Sequence, residues 1–426
     1  MNHHRSAAAS LGIALALTGS AAVAAGFQIS EQTVAGMGQA FAGAGIARDD
    51  ASNLFYNPAG LLANGERQVQ FGASFISGKS EFTNTGSTRR LAGVTVPSSG
   101  PDADGGDDVV VPAFYYTSSG DDFKWGLSVS VPFGLATDYD DGWIGRYHAL
   151  RSEVQAVNVN PGFAFRVGER LSLGAGVSVQ KVDAELSQAV FRGPGVPDGE
   201  AKLKGDDTEV GFNLGVMFEP GDNTRLGLGY RSKIEHELEG RVRFSGVPGA
   251  PDSLPISSEA TFPETIYASI SHEMSPATEI SGGVRWTKWS DLPELRIETL
   301  GMPDSVADYQ WEDVAMYSVG VRHHINDRWT VRLGYARDEA PIPADENRTP
   351  RVPDSDRDWF TLGLSFAVGE SSRIDFGYAH VVGEDSSMVN TINLVSSRPG
   401  AFTDTLRGDY ESSVDIFGIQ FYGEFR

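Results

Sequence analysis

Large apolar residues alternate with small or polar ones along most of the chain, the period-two signature of strands with two unlike faces. From Trp125 the odd positions run Trp125, Leu127, Val129, Val131 and Phe133, against Gly126, Ser128 and Ser130. In the same way Trp329, Val331, Leu333 and Tyr335 oppose Thr330, Arg332, Gly334 and Ala336. Fourteen such runs are predicted to be strands, at 68–76, 109–117, 124–135, 154–166, 171–186, 209–218, 224–244, 261–273, 278–289, 314–324, 329–337, 359–368, 373–382 and 414–425.

The connections between them alternate in length. Short ones at 118–122, 167–170, 219–223, 273–277, 324–328 and 368–372 carry the Gly, Asn, Asp and Pro of tight hairpins. Long ones include 77–108, 136–152, 187–208 and 383–413. A soluble β-sandwich has no reason to alternate this way. A barrel crossing an outer membrane does, with short periplasmic turns, long outer loops, and an even strand number that returns both ends to the periplasmic side. The faces agree: Arg225, Arg231, Arg322 and Arg332 fall opposite the apolar set, and arginine faces hydrocarbon only at high cost, so these side chains point to the lumen. Tyr and Trp near strand ends fit interfacial girdles. The last run puts Phe417, Ile419, Phe421 and Phe425 on one face, ahead of Arg426.

Residues 1–24 read as a secretory signal peptide: a short start with one cation, an apolar run, and Ala22-Val23-Ala24 before a cleavage that leaves Ala25 first. The 426 residues include 50 Gly and no Cys, so an exported chain of this length has no disulfide and depends on burial and strand pairing. A formal charge of −23 argues against nucleic acid and against attraction to an anionic surface. The composition and pattern together predict an all-β protein, a 14-stranded transmembrane antiparallel β-barrel over 68–426 in the outer membrane of a Gram-negative cell.

Two features do not fit a plain wall. Pro132 and Gly134 interrupt the strand begun at Trp125, one lacking an N–H and the other a side chain. Gly134 is expected to permit a backbone turn that other residues resist, and with Pro132 to bend the strand inward and part it from a neighbour. The second feature is the segment 25–67, which reads as neither strand nor long helix. A lumen of about fourteen strands is too wide for wall side chains to fill, and a segment preceding the wall is a natural N-terminal hatch.

The sequence AGFQISEQTVAGMGQAFAGAGIARDDASNLFYNPAGL at 25–61 resembles the hatch of the FadL/TodX family of outer-membrane transporters for long-chain fatty acids and hydrocarbons. Gly26-Phe27-Gln28, Gly36, Gly38, Ala40, Asp49-Asp50-Ala51 and the motif Asn57-Pro58-Ala59 carry the resemblance. PFGLATDYDDGWIGRY at 132–147 and PIPADENRTPRVPDSDRDWF at 341–360 match in the same order. The resemblance implies a fourteen-stranded barrel with an N-terminal hatch, capture of an apolar ligand outside, an internal pocket, and exit sideways through the wall. Pro132, Phe133 and Gly134 are then the lateral gate, and Phe27, Leu186, Gln188, Phe191 and Arg192 the substrate contacts. Gln188 and Glu312 fall where fatty-acid members would hold cations, which keeps an uncharged hydrocarbon open as the ligand. Apolar residues at 187–208 and 245–260, Phe191 among them, are expected to form a landing groove or else to pack the loops together.

The partners implied are a hydrophobic small molecule and the lipids and lipopolysaccharide of the outer membrane, around a monomer. No cofactor is assigned. The acidic runs 101–108 and 138–141 carry the carboxylates a calcium ion would need, and read more simply as solvated loop faces; no metal is assigned. A general diffusion porin would have a constriction loop in place of a hatch. A barrel-embedded lipid hydrolase needs a nucleophile and base in register, and none of His148, His236, His272, His323, His324 and His380 sits in a recognisable serine motif.

Overall fold

The computed structural model describes residues 26–63, 66–395 and 398–425, so the leader at 1–24, the cleavage before Ala25 and Arg426 lie outside the described residues. Fourteen wall strands follow one another: β1 (Arg67–Asn84), β2 (Asp108–Thr117), β3 (Phe123–Asp138), β4 (Arg151–Val167), β5 (Leu171–Val190) and β6 (Gly199–Gly221). Strand β7 comes in two pieces (Thr224–Arg231, Ile234–Ser245), as does β8 (Ser253–Phe262, Thr265–Ser275). Then come β9 (Thr278–Thr287), β10 (Val314–His324), β11 (Trp329–Asp338), β12 (Arg357–Ala367), β13 in two pieces (Ser372–Gly383, Ser386–Asn393) and β14 (Phe402–Phe425). Each pairs antiparallel with the next. Pairing of β1 with β14, from Arg67↔Phe425 to Asn84↔Gly408, closes the wall.

All fourteen runs read from the alternation are strands, but several extend further. β6 begins at Gly199 and β14 at Phe402, so the spans read as loops at 187–208 and 383–413 are mostly paired strand. Beyond the bilayer the outer face of a strand meets water in place of lipid, so the alternation weakens while backbone pairing continues. Between β5 and β6 only 191–198 is unpaired, and between β7 and β8 only 246–252.

The two faces are as unlike as the sequence requires. Phe71, Trp125, Phe163, Leu333 and Phe417 stand exposed on the outside. Arg225, Arg231, Arg285 and Arg332 are buried inside. Most of these guanidiniums meet carboxylates: Arg225 bonds Glu273 at 3.0 Å and also Glu279, which Arg322 reaches at 3.3 Å. Such partners are what make charge tolerable at membrane depth.

Residues 26–63 lie within the ring of strands. Helix α1 (Val34–Met37) packs on β1, β12, β13 and β14. Helix α2 (Asn53–Tyr56) and the 3-10 turn Pro58–Ala63 pack on the opposite arc, from β3 to β7. Between the two helices the segment stays irregular, its backbone visiting left-handed conformations at Ala40, Phe41, Gly43, Gly45 and Asp49, which a regular helix does not contain. Its carbonyls are taken by wall arginines: Arg225 donates to Ile46 O at 2.9 Å and Arg231 to Phe55 O at 3.1 Å.

Candidate functional site

Strand β3 is the irregular one. It pairs with β4 as far as Ser130↔Asn158 and resumes at Phe133↔Ala156, so Val131 and Pro132 together face Val157 in a bulge. On its other edge the last pair with β2 is Phe114↔Val129. Above that point β2 continues to Asp108 paired with β1 alone, and β3 turns away from it. Each strand carries a proline near the parting, Pro112 in β2 and Pro132 in β3, and neither can donate across the gap.

The freed edge of β3 finds its partners in the N-terminal segment. Ile29 N donates to Pro132 O at 2.9 Å, Gly134 N donates to Phe27 O at 2.9 Å, and Gln28 bridges Phe133. Gln32 Nε2 donates to Val131 O at 2.8 Å, while Tyr115 of β2 donates its hydroxyl to Gln32 O at 2.9 Å. The backbone groups released from the wall are thus satisfied inside the barrel, as a low-dielectric setting demands. Ile29, Val131 and Ala136 belong to the same buried apolar cluster as Val111 and Ala113 of β2, so side-chain packing joins the two strands where the ladder stops. The expected turn at Gly134 is not what the structure shows: its φ is not left-handed. Gly134 instead gives room to Ile29: a Cβ there would lie 2.7 Å from Ile29 Cδ1, the free end of that side chain, which would have to shift.

Beside the break lies a cavity of about 100 Å3, walled by Leu135, Val154, Val182, Leu186, Leu238 and Leu295 among others. No Asp or Glu lines it; the charged side chains that reach it are Lys204 and Arg351. Its floor is aromatic. Phe27, Phe133 and Phe262 meet edge to face with centroids 5.9, 5.6 and 5.1 Å apart, and Trp289 closes on Phe27 at 4.8 Å. Beyond these rings is a narrow crevice of about 10 Å3 bounded by Phe55, Pro132, Gln180 and Arg231. The partition therefore separates the cavity from the kink.

Of the residues read as substrate contacts, Phe27 and Leu186 line the cavity. Gln188 sits at its edge, holding Arg351 through Oε1 at 2.9 Å. Phe191 and Arg192 do not line it. The Phe191 ring packs on Tyr147 at 5.9 Å and on the Arg89 guanidinium at 5.8 Å, and Arg192 bonds Pro197 O at 3.3 Å within its own turn. Glu312 is exposed and bonds Pro341 O through its amide. The motif Asn57-Pro58-Ala59 lies away from the cavity, where Asn57 donates to Val216 O at 2.9 Å and accepts from Ala59 N at 3.1 Å. Glycines in the facing strands admit this turn: a Cβ on Gly229 would lie 2.0 Å from Tyr56 O.

Two buried carboxyls lie where the N-terminal segment meets the wall, and one of them fastens it. Asp354 accepts from Gly26 N at 2.7 Å, and burial raises its pKa to about 6 despite Arg357 beside it. Burial raises that of Glu31 to about 7 against the pull of Arg285 and Arg357. The acidic loop carboxylates instead cap backbone amides, Asp104 accepting from Ser80 N at 2.8 Å and Gly106 N at 2.9 Å. No metal-like cluster of acidic or histidine side chains occurs among the described residues. His148, His236 and His380 pair with Asp404, Asp207 and Asp415.

Arg351, Pro112, Trp289 and Trp311 were not singled out by the sequence. Pro112 could have been, because two strands joined by a tight turn both carry a proline at matching depth. The tryptophans and Arg351 reach the site from outer loops, and alternation says nothing about where a loop folds back.

A model of the outer membrane protein transport family (OMPP1/FadL/TodX) matches residues 15–425. The chain belongs to that family. The resemblance read from 25–61, 132–147 and 341–360 is thereby borne out. A long-chain fatty acid transport protein of Escherichia coli O6:H1 is 27% identical over 88% of this chain and 90% of its own. Outer membrane protein P1 of Haemophilus influenzae is 26% identical over 96% and 97%. Among solved structures, a Pseudomonas aeruginosa FadL homologue superposes with a TM-score of 0.84 at 23% identity, covering 94% of this chain and all of that one. The Pseudomonas putida toluene transporter TodX gives 0.68 at 17%, covering 92% and 98%. At these identities the structures establish the fold, a closed outer-membrane barrel.

Proposed function

We propose that the protein takes up apolar compounds, long-chain fatty acids or hydrocarbons, across the outer membrane. A compound captured outside occupies the cavity, passes the Phe27–Phe133 partition and leaves sideways between β2 and β3 into the bilayer. The observation that carries this reading is the parting of β3 from β2 at Val129 beside an apolar cavity, sealed by side chains and by the N-terminal segment. An apolar tail prefers hydrocarbon to water by about 0.8 kcal/mol per CH2, so a route through the wall avoids a cost that a route into the periplasm incurs.

Residues 26–63 act as a hatch in this reading. They occupy the lumen, keep ions and water from a straight path, and latch the kink through Phe27 to Ile29. Displacement of Phe27 by a ligand removes one side of the partition and loosens the pairing at Gly134. Pro132, Phe133 and Gly134 form the gate. The apolar outer face sits in outer-membrane lipid and lipopolysaccharide as a monomer, with the β2–β3 gap facing lipid. Catalysis has no part in the mechanism.

The test is uptake by cells that lack their own fatty-acid transporter. Expression should restore accumulation of a radiolabelled long-chain fatty acid or hydrocarbon while leaving small sugars excluded in liposome swelling. Sugar permeation without uptake of the apolar compound would make the protein a diffusion porin.

A further inference from the structure

We propose that the outer end of the β6–β7 ladder is a docking site for lipopolysaccharide, where facing pairs of cations take the phosphates of its inner core. The site rests on the barrel's seat in the outer membrane and not on what the barrel carries.

Two successive rungs of this ladder set cation against cation. Lys204 lies opposite Arg241, and Lys202 opposite Arg243. Their neighbours Leu203 and Leu238 line the cavity and Val242 is buried, so the charged ends of the four stand on the outer face. Arg241, Arg243 and Lys204 are exposed and Lys202 is half-exposed.

Like charges directly opposite each other destabilise a ladder, and the protein does little to offset them here. Glu185 of β5 is shared between Lys202 and Lys204. Arg241 donates to the neutral Ser253 Oγ, at 3.0 and 2.8 Å. Arg243 has no ion pair or hydrogen bond among the described residues. Glu200 and Glu239 flank the two rungs, and neither comes within ion-pair range of Arg241 or Arg243. In a chain of formal charge −23 this is a local reversal of sign.

The height of the cluster identifies the anion. On β6 the exposed apolar positions that face lipid end at Val210. Lys204 and Lys202 stand six and eight residues beyond it, toward the outer end of the strand. At about 3.3 Å per residue on a tilted strand, that is roughly 15–20 Å above the hydrocarbon. Acyl chains end well below this level, and the phosphorylated core sugars of lipopolysaccharide occupy it. A guanidinium takes a phosphate through two parallel N–H···O bonds, and Arg241 and Arg243 present two such forks on one strand face.

The experiment measures binding of fluorescently labelled, phosphorylated lipopolysaccharide to the full-length protein in non-ionic detergent. EDTA is present, so that divalent cations cannot bridge carboxylates to phosphate. Enzymatic dephosphorylation of the lipopolysaccharide should weaken binding by about 10-fold or more. Each surface cation is worth about a fivefold change in affinity for an anionic lipid, so Arg241→Gln/Arg243→Gln should lose roughly 10- to 30-fold. Arg241→Lys/Arg243→Lys should keep most of the affinity. Arg170→Gln/Arg328→Gln, the same charge change at exposed periplasmic turns, should keep all of it. Should the first variant lose its heat-resistant barrel mobility, the dephosphorylated arm and the single Arg243→Gln still decide. Equal binding of both forms by the wild type, or full affinity without the two arginines, overturns the assignment. So does inorganic phosphate that competes as tightly as lipopolysaccharide, since the cluster would then be a free-anion site.

Discussion

Ile29 donates its amide to the carbonyl of Pro132 at 2.9 Å, so the strand that leaves the wall is held by the segment that precedes the wall. A broken strand and an unassigned N-terminal stretch look like separate irregularities in the sequence. In the fold they are one structure: a short interior ladder replaces the missing β2–β3 pairs, and the proline that spoils the wall still offers a carbonyl to the ladder.

Gly134→Val tests this coupling. Because a Cβ at 134 would meet Ile29 Cδ1 at 2.7 Å, valine should displace the Ile29 side chain from the apolar cluster it shares with Val131 and so loosen the Phe27–Ile29 segment. The cost should be about 1–3 kcal/mol at that contact, the usual range for overpacking. Pro132→Thr alone restores a donor without the clash and should leave the segment seated. From the sequence one would expect the double variant to be at least as stable as wild type; with Ile29 in place, valine makes it less so. Faster amide exchange at Ile29 and Gly134 in Gly134→Val, with barrel mobility on gels unchanged, is the expected result. Unchanged exchange would mean that the two segments do not depend on each other.

Deleting residues 26–60 should leave a folded barrel and a leaky one. No wall strand is lost, and Arg225 and Arg231, which bond Ile46 O and Phe55 O, would be solvated by the water that replaces the segment. Planar-bilayer conductance should rise several-fold and selective uptake should disappear. A conductance equal to wild type would show that the segment does not occlude the pore.

The wall was legible in the sequence because burial on one face and lipid on the other impose a strict period of two. Trp125, Leu127 and Val129 against Gly126, Ser128 and Ser130 leave no other reading. Strand ends above the bilayer were not, since a stretch such as Gly199–Thr208 alternates only at Ala201 and Leu203 before Gly205, Asp206 and Asp207 break the pattern, and the rest pairs through its backbone. The kink was legible for Pro132, whose missing donor is a property of the residue itself. Gly134 was legible only as an anomaly, because the approach of Ile29 that requires it comes from a segment more than a hundred positions away. Arg351 and Gln188 meet through a loop folded over the barrel mouth, a distance that no local pattern encodes.

Phe191→Asp separates loop packing from ligand capture. The ring is wedged between Tyr147 and the Arg89 guanidinium, in the same outer cluster as Trp143 and Leu406. Losing the ring's packing there should destabilise the outer cap by about 2 kcal/mol. Proteolysis of the 191–198 turn should therefore accelerate, while affinity for a fatty acid in the protein that remains intact changes little. A selective loss of affinity with no change in proteolysis would return Phe191 to the binding path.

Seating of the N-terminal segment should weaken as pH rises. Glu31 and Asp354 have values of about 7 and 6, above the ordinary 4.5 and 3.8, and burial is the main cause in each. An acid whose pKa is raised in the packed state keeps its proton there after the released state has lost it. Below about pH 4 both states are protonated and no penalty exists. Between about pH 4 and 7 the packed state becomes progressively less favourable relative to the released one, and above about 7 the penalty is complete. For Glu31 it is at most on the order of 3 kcal/mol. Arg285 and Arg357 face Glu31, and Arg357 and Asp338 face Asp354; the arginines limit the effect and Asp338 adds to it. Exchange at Ile29 and Gly134, corrected for the intrinsic pH dependence of amide exchange, should accelerate from pH 5 to pH 7.5 in wild type. Glu31→Gln should flatten most of that rise, since glutamine carries no charge at any pH and keeps the side chain's size. Tighter seating at pH 7.5 than at pH 5 would sink the idea, because it would require both carboxyls to be held charged by their arginines.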